Sequence, residues 1–96
     1  MTDLTIVAHI IALPEHIDHV RSQLETLIPA TRVESGCVQY DLHQCNDDPA
    51  HFMFFENWSS REQWQAHMAS EHLRAFGAET DGAVESVTIY EMTMIA

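Results

Sequence analysis

An α+β fold with the element order β-α-β-β-α-β is what this 96-residue sequence predicts, and three observations carry it. An almost unbroken apolar run from Leu4 to Leu13 opens the chain. An apolar stripe at three- and four-residue spacing follows, and then two strand-like segments joined by Asn46-Asp47-Asp48-Pro49. A serine-capped helical segment and a last strand complete the split βαβ arrangement, one antiparallel sheet with its helices on one side.

The first run is rich in Ile, Val and Ala and ends at Pro14, which fits a strand buried on both faces. Pro14-Glu15 opens a helix, with proline in the first turn and acid near the positive end of the helix dipole. Ile17, Val20, Leu24, Leu27 and Ile28 form its apolar stripe. Pro29 removes one backbone donor, so it is expected to kink this helix or end its regular part. Gly36 stops whatever continues past it. Cys37 to Cys45 alternates Val38, Tyr40 and Leu42 against Gln39, Asp41 and His43, a half-buried strand. After the turn, His51 to Trp58 is a second strand, and the pair reads as a hairpin. Ser59 or Ser60 caps the next helix, with Glu62 or Gln63 placed for a capping box. Trp64, His67 and Met68 share one face of it. Ser70 reads as a second cap ahead of Leu73 and Phe76. Gly77 and Gly82 bracket the helix end, and Val84 to Ile95 is the last strand.

Residues 1–96 read as one domain, with no internal repeat and no linker. With 46% hydrophobic residues and only three Gly and three Pro, the chain is of the globular type. Its formal charge of −11 repels phosphate backbones and anionic headgroups, so neither nucleic acid nor a membrane surface is an expected partner. No stretch approaches the ~20 apolar residues of a membrane span. No basic segment precedes the first apolar run, so no secretory leader is visible and a cytoplasmic location is expected. Cys37 and Cys45 lie on one strand, up to ~26 Å apart if extended, which prevents their pairing. Free thiols fit a reducing compartment. The first strand is apolar on both sides, with Ile6, Ala8 and Ile10 on one and Val7, Ile11 and Leu13 on the other. Two helices cover one face, so a homodimer built sheet against sheet is expected, burying more than ~1,000 Å².

No Gly-rich phosphate loop and no flavin or nicotinamide fingerprint is present. Seven histidines among 15 acids raise the question of a metal. His16 and His19, beside Glu15 and Asp18, flank the helical stripe and read as a solvated face. His67 and His72 are five apart, which on one continuous helix turns them some 140° from each other. They hold one ion only if the helix breaks at Ser70, and no metal site is expected.

One segment is more informative than the rest. Glu34-Ser35-Gly36-Cys37 precedes Tyr40, then come Phe52-Met53-Phe54-Phe55-Glu56-Asn57-Trp58, Ser59-Ser60, and finally His67 and His72. In this order and spacing the chain resembles the antibiotic biosynthesis monooxygenase family over nearly its whole length. It is most similar to quinol-oxidising members, in Glu34, Gly36, Cys37 and Tyr40, in Glu56, Trp58 and Ser60, and in Ala66-His67. The resemblance implies a ferredoxin-like chain forming a dimeric α+β barrel. It also implies oxidation of a small quinol or phenolic substrate by O₂ without a cofactor. Heme-degrading relatives carry tryptophan where this chain has His67, and their heme-ligating histidine falls about at Gly77, so heme chemistry is not expected.

Such chemistry needs a dry apolar pocket, a base and a polar group for the oxyanion. His67 is the candidate base, on an apolar helix face toward the sheet, a place that also suits a core histidine bonded to backbone. Asn57 is the second catalytic candidate. Tyr40, Phe54, Trp58, Trp64, His72 and His9 are the candidate substrate contacts. Alternation sends Asn57 and Trp58 to opposite faces, so at most one of them lines a pocket directly. Trp58 also fits a core aromatic, His72 an exposed helix start, and His9 either a pocket or the dimer seam. Two other functions suit the same residues: isomerisation of a small hydroxy-ketone, and non-catalytic binding of small aromatic metabolites.

Overall fold

The computed structural model describes residues 3–96, and its architecture follows from where each segment hides its apolar side. Strand β1 (Leu4–Ala12) buries every second residue, Leu4 through Ala12, beneath the helices. A single 3₁₀ turn at Pro14–His16 leads into helix α1 (Ile17–Arg32), which buries Val20, Leu24 and Leu27. Strands β2 (Cys37–Gln44) and β3 (His51–Trp58) form the hairpin. Helices α2 (Arg61–Met68) and α3 (Glu71–Glu79) precede strand β4 (Val84–Met92). The four strands form one antiparallel sheet in the order β2-β3-β1-β4, so β1 sits between β3 and β4. Among the described residues no helix is long and apolar enough to cross a membrane.

The sheet has two unlike faces. Even-numbered residues of β1 and β3, Ile6, Ala8 and Ile10 with Phe52, Phe54, Glu56 and Trp58, turn to the helices. Odd-numbered ones, including Val7, His9, His51, Met53, Phe55 and Asn57, form the other face, which none of the described elements covers. β4 is the least covered strand. Val87, Ile89, Tyr90 and Met92 are all substantially exposed.

Four local readings are corrected. Helix α1 runs through Pro29 to Arg32 instead of ending there. Val38 does not share a face with Tyr40, because the β2–β3 register shifts between Cys37 and Gln39. That bulge spends Val38 as the extra residue and leaves it exposed, while Cys37, Tyr40 and Leu42 stay on the helix side. The last strand stops at Met92, opposite Thr5, because β1 begins at Leu4 and offers no ladder beyond it. Finally, the second helical element counts as two helices, divided at the cap expected of Ser70, which accepts from Leu73 N–H at the start of α3.

Candidate active site

A cavity of about 260 Å³ lies between the helix-side face of the sheet and the three helices. Ile6, Ala8 and Ile10 of β1 and Phe54 of β3 form its floor, and Leu24 and Leu27 of α1 one wall. Trp64, His67 and Met68 of α2 face Leu73, Phe76 and Gly77 of α3, and Val87 and Ile89 of β4 border it at the sheet edge. Three polar residues stand in this otherwise apolar lining: Tyr40, Glu56 and His67. Trp64 adds a donor, since its buried Nε1–H has no acceptor among the described residues.

His67 is held from several sides. It is 2% exposed, lies against Trp58 with ring centroids 4.8 Å apart, and meets the Tyr40 ring edge-on at 5.5 Å. Its Nδ1 is 2.6 Å from Glu34 Oε2. An ionised carboxylate only accepts, so the ring proton sits on Nδ1 and Nε2 keeps its lone pair. Burial lowers the pKa of His67, and the hydrogen bond to Glu34 pulls partly the other way. The ring is thus an oriented, neutral proton acceptor.

The sequence between α1 and β2 delivers Glu34 to that position. Glu34 N–H bonds Thr31 O, Cys37 N–H bonds Glu34 O, and Gly36 turns the chain at φ +86°, where other residues are strained. Ser60 caps α2 by accepting from Gln63 N–H, and the Gln63 amide reaches across to Ser35 Oγ. One glutamine therefore ties the Glu34 turn to the helix that carries His67. At the end of α1, Arg32 donates to the Tyr40 carbonyl and to Asp41, fixing β2 against the helix.

Glu56 faces the same cavity and is 4% exposed. Burial is the main cause of a pKa pushed up to about 7, against the lowering effect of the bond from Trp58 Nε1–H at 3.0 Å. A carboxyl of this kind is partly protonated at neutral pH and can donate a proton. Burial also pushes the Tyr40 phenol well above its ordinary value, so this hydroxyl stays protonated.

Of the residues singled out from sequence, Tyr40, Phe54, Trp64 and His67 lie on the cavity wall. Trp58 does not. It is fully buried beneath the wall, packing on His67 and holding Glu56. Asn57 and His9 are odd-numbered positions and lie across the sheet from the cavity. Asn57 bonds Thr5 and Gln39 there, and His9 bonds His51 at 2.8 Å. His72 is off the wall, partly exposed, with Nε2 2.9 Å from Glu34 Oε2. His67 and His72 are not held apart as on one continuous helix, because the helix breaks between them at Ser70, the exception that the sequence left open. Glu34 and Glu56 were missed as site residues. Parity offered a signal for Glu56, whose even number places a carboxyl among Phe52, Phe54 and Trp58.

The model of the antibiotic biosynthesis monooxygenase family matches residues 3–79, most of the fold just described. The chain belongs to that family. It is similar to PA3566 from Pseudomonas aeruginosa, whose crystal structure superposes with a TM-score of 0.94 at 32% identity, over 100% of this chain and 97% of that one. A second crystal structure, described as an antibiotic biosynthesis monooxygenase, gives 0.90 at 31% identity, over 97% of this chain and 99% of that one. Rv0793 of Mycobacterium tuberculosis, provisionally named a monooxygenase, is 29% identical over 76 residues, 79% of this chain and 74% of its own length. Within this monooxygenase family, the cavity with His67 and Glu56 on its wall is the candidate active site of the present chain.

Proposed function

We propose that this chain is a cofactor-independent monooxygenase that oxidises a small planar quinol or phenol with O₂. The observation that carries the reading is the Glu34–His67 pair, with its remaining ring nitrogen available beside an apolar cavity. The cavity volume of about 260 Å³ lies just below the ~300 Å³ where typical ligand pockets begin, which limits the guest to a small aromatic.

Triplet O₂ reacts slowly with closed-shell molecules, but a quinolate anion is a good one-electron donor. His67 Nε2 takes the phenolic proton, and the anion passes one electron to O₂. The semiquinone and superoxide recombine at a ring carbon, and the imidazolium returns the proton to give a hydroperoxide. Loss of the hydrogen on that carbon to His67 then forms a carbonyl and breaks the O–O bond. The departing hydroxide takes a proton from Glu56 and leaves as water, and His67 then releases its proton to solvent as Glu56 regains one, which resets both groups. The product is a hydroxylated quinone, and both electrons that reduce the second oxygen atom come from the quinol. The apolar lining protects the radical pair from water. Asn57, across the sheet, has no direct part in this scheme.

The bare sheet face and exposed β4 fit a second copy of the chain as their cover, so the working form is a homodimer. The two free cysteines fit a cytoplasmic setting. Oxygen uptake with reduced naphthoquinones tests the chemistry. The expected result is one O₂ per quinol, no oxygen returned by catalase, a colourless protein, and a loss of at least about tenfold in His67→Ala with the fold retained. Uptake no faster than autoxidation, or a folded His67→Ala variant of unchanged rate, overturns the reading. A base facing a protonated carboxyl also suits hydroxy-ketone isomerisation, which would exchange substrate hydrogen with solvent deuterium and consume no oxygen.

A further inference from the structure

Helix α2 ends at Met68 and α3 starts at Glu71, and this break brings together two histidines that one helix would hold apart. His67 Nδ1 and His72 Nε2 both approach the same oxygen of Glu34, at 2.6 and 2.9 Å, and the three atoms lie within 4.8 Å of one another. We propose that Glu34, His67 and His72 bind a divalent transition ion of the zinc type, and that its binding switches the base off. The switching half rests on the reading of His67 as the base; the ion site does not.

Three observations support the site. The donor set, two imidazoles and a carboxylate, is the kind that holds zinc through three protein ligands, leaving one position for water. A tetrahedral ion with ~2.1 Å bonds spaces its ligands about 3.4 Å apart, so the contacts of 2.6 and 2.9 Å would each open by less than about 1 Å to enclose one. The charge balance also leaves room for a cation. All four basic side chains are arginines, and they pair with Glu25, Asp41, Glu91 and Glu71. Among the described residues Glu34 has only histidines against it. Partial exposure of Glu34 and His72 gives an ion a path from solvent.

The position decides what the ion does. Glu34 and His72 are not on the cavity wall, so an ion there sits behind the base and away from the substrate. Without the ion, Glu34 accepts the Nδ1 proton and Nε2 is free to accept another. An ion on Nδ1 takes that lone pair, and the proton of the neutral ring must then reside on Nε2. The atom that should take the phenolic proton becomes a donor, and proton transfer stops.

Metal-free protein titrated with Zn²⁺ or Co²⁺ tests this, read by calorimetry, thermal melting and the visible bands of bound Co²⁺. One ion per chain is expected, with Tm raised by roughly 5–10 °C at saturation. Binding should be lost in His72→Ala and Glu34→Gln, each checked for fold by circular dichroism. It should persist in His51→Ala, which removes a histidine of the other cluster, where His9, His43 and Cys45 share a hollow on the opposite face. Zinc should lower oxygen uptake at least about tenfold, reversed by EDTA. No binding, unchanged binding in a folded His72→Ala, or loss in His51→Ala alone overturns the site. Binding at the triad with uptake unchanged overturns the switch. If metal-free protein has no quinol turnover, the base reading fails, while the calorimetry and Co²⁺ bands still decide the ion site.

Discussion

The two faces of the sheet carry the same kinds of residue to opposite ends. On the helix side, His67 and Glu56 stand in an apolar surrounding, one with its pKa lowered by burial and the other raised. On the far side, His9 bonds His51, and Asn57 bonds Thr5 and Gln39, along a half-exposed surface. The contrast teaches that placement, more than residue type, sets the proton affinity of a side chain here: the proposed base and acid owe their shifted pKa values mainly to desolvation.

The sharpest way to break this comparison is His67→Ala, which should cut kcat on a quinol on the order of 10²–10⁴-fold without unfolding the chain. The pH–rate profile of the variant should also lose the limb set by the imidazole. Next in size is Val7→Glu at the centre of the bare face. In the proposed homodimer a charge there would be buried between the sheets, and it should raise the dissociation constant at least about 100-fold and leave a monomer in light scattering at micromolar concentration.

Glu56→Gln probes the cost of the buried acid. Below about pH 4.5 the folded and unfolded states both hold the proton, and the burial cost is absent. As pH rises toward 7 the unfolded chain releases it while the native one retains it, so stability falls, and above 7 the full cost remains. The variant should therefore be more stable than the parent at pH 8, by no more than about 3 kcal/mol, and should lose that advantage near pH 4. Urea titrations at the two pH values measure it. His67 works in the opposite direction, since its lowered pKa costs stability as pH falls below its ordinary value.

Gly36→Ala should cost about 1–3 kcal/mol, because the added Cβ meets both a positive φ and the Gln63 side chain. It should also slow turnover several-fold by loosening Glu34 from His67. The smallest effect belongs to Asn57→Ala, with about 1 kcal/mol lost in melting and kcat within about twofold. A large loss of activity there would mean that the far face takes part in the chemistry.

The alternation of β1 and β3 was legible because period-two burial holds without interruption over both strands. The hairpin, the Ser60 cap and the Ser70 cap were readable from local chemistry. Val38 was misplaced because a bulge adds one residue to the count, and bulges leave little trace in composition. Pro29 does not end its helix, which continues past the missing donor to Arg32. In the site, His67 followed from its helical face. Glu34 did not, since its contact spans 33 positions and depends on how a turn docks onto a distant helix. Asn57 was chosen against its own parity.

The two residues between α2 and α3 act as a joint whose length sets an angle. Ala69 and Ser70 lie outside both helices, so inserting one residue between them would keep the Ser70 cap and both helices while displacing His72 from Glu34. Folding has little stake in that length, but the meeting of the two histidines depends on it entirely. Across related chains, variation at this joint would divide proteins that keep the triad from proteins that keep only the fold.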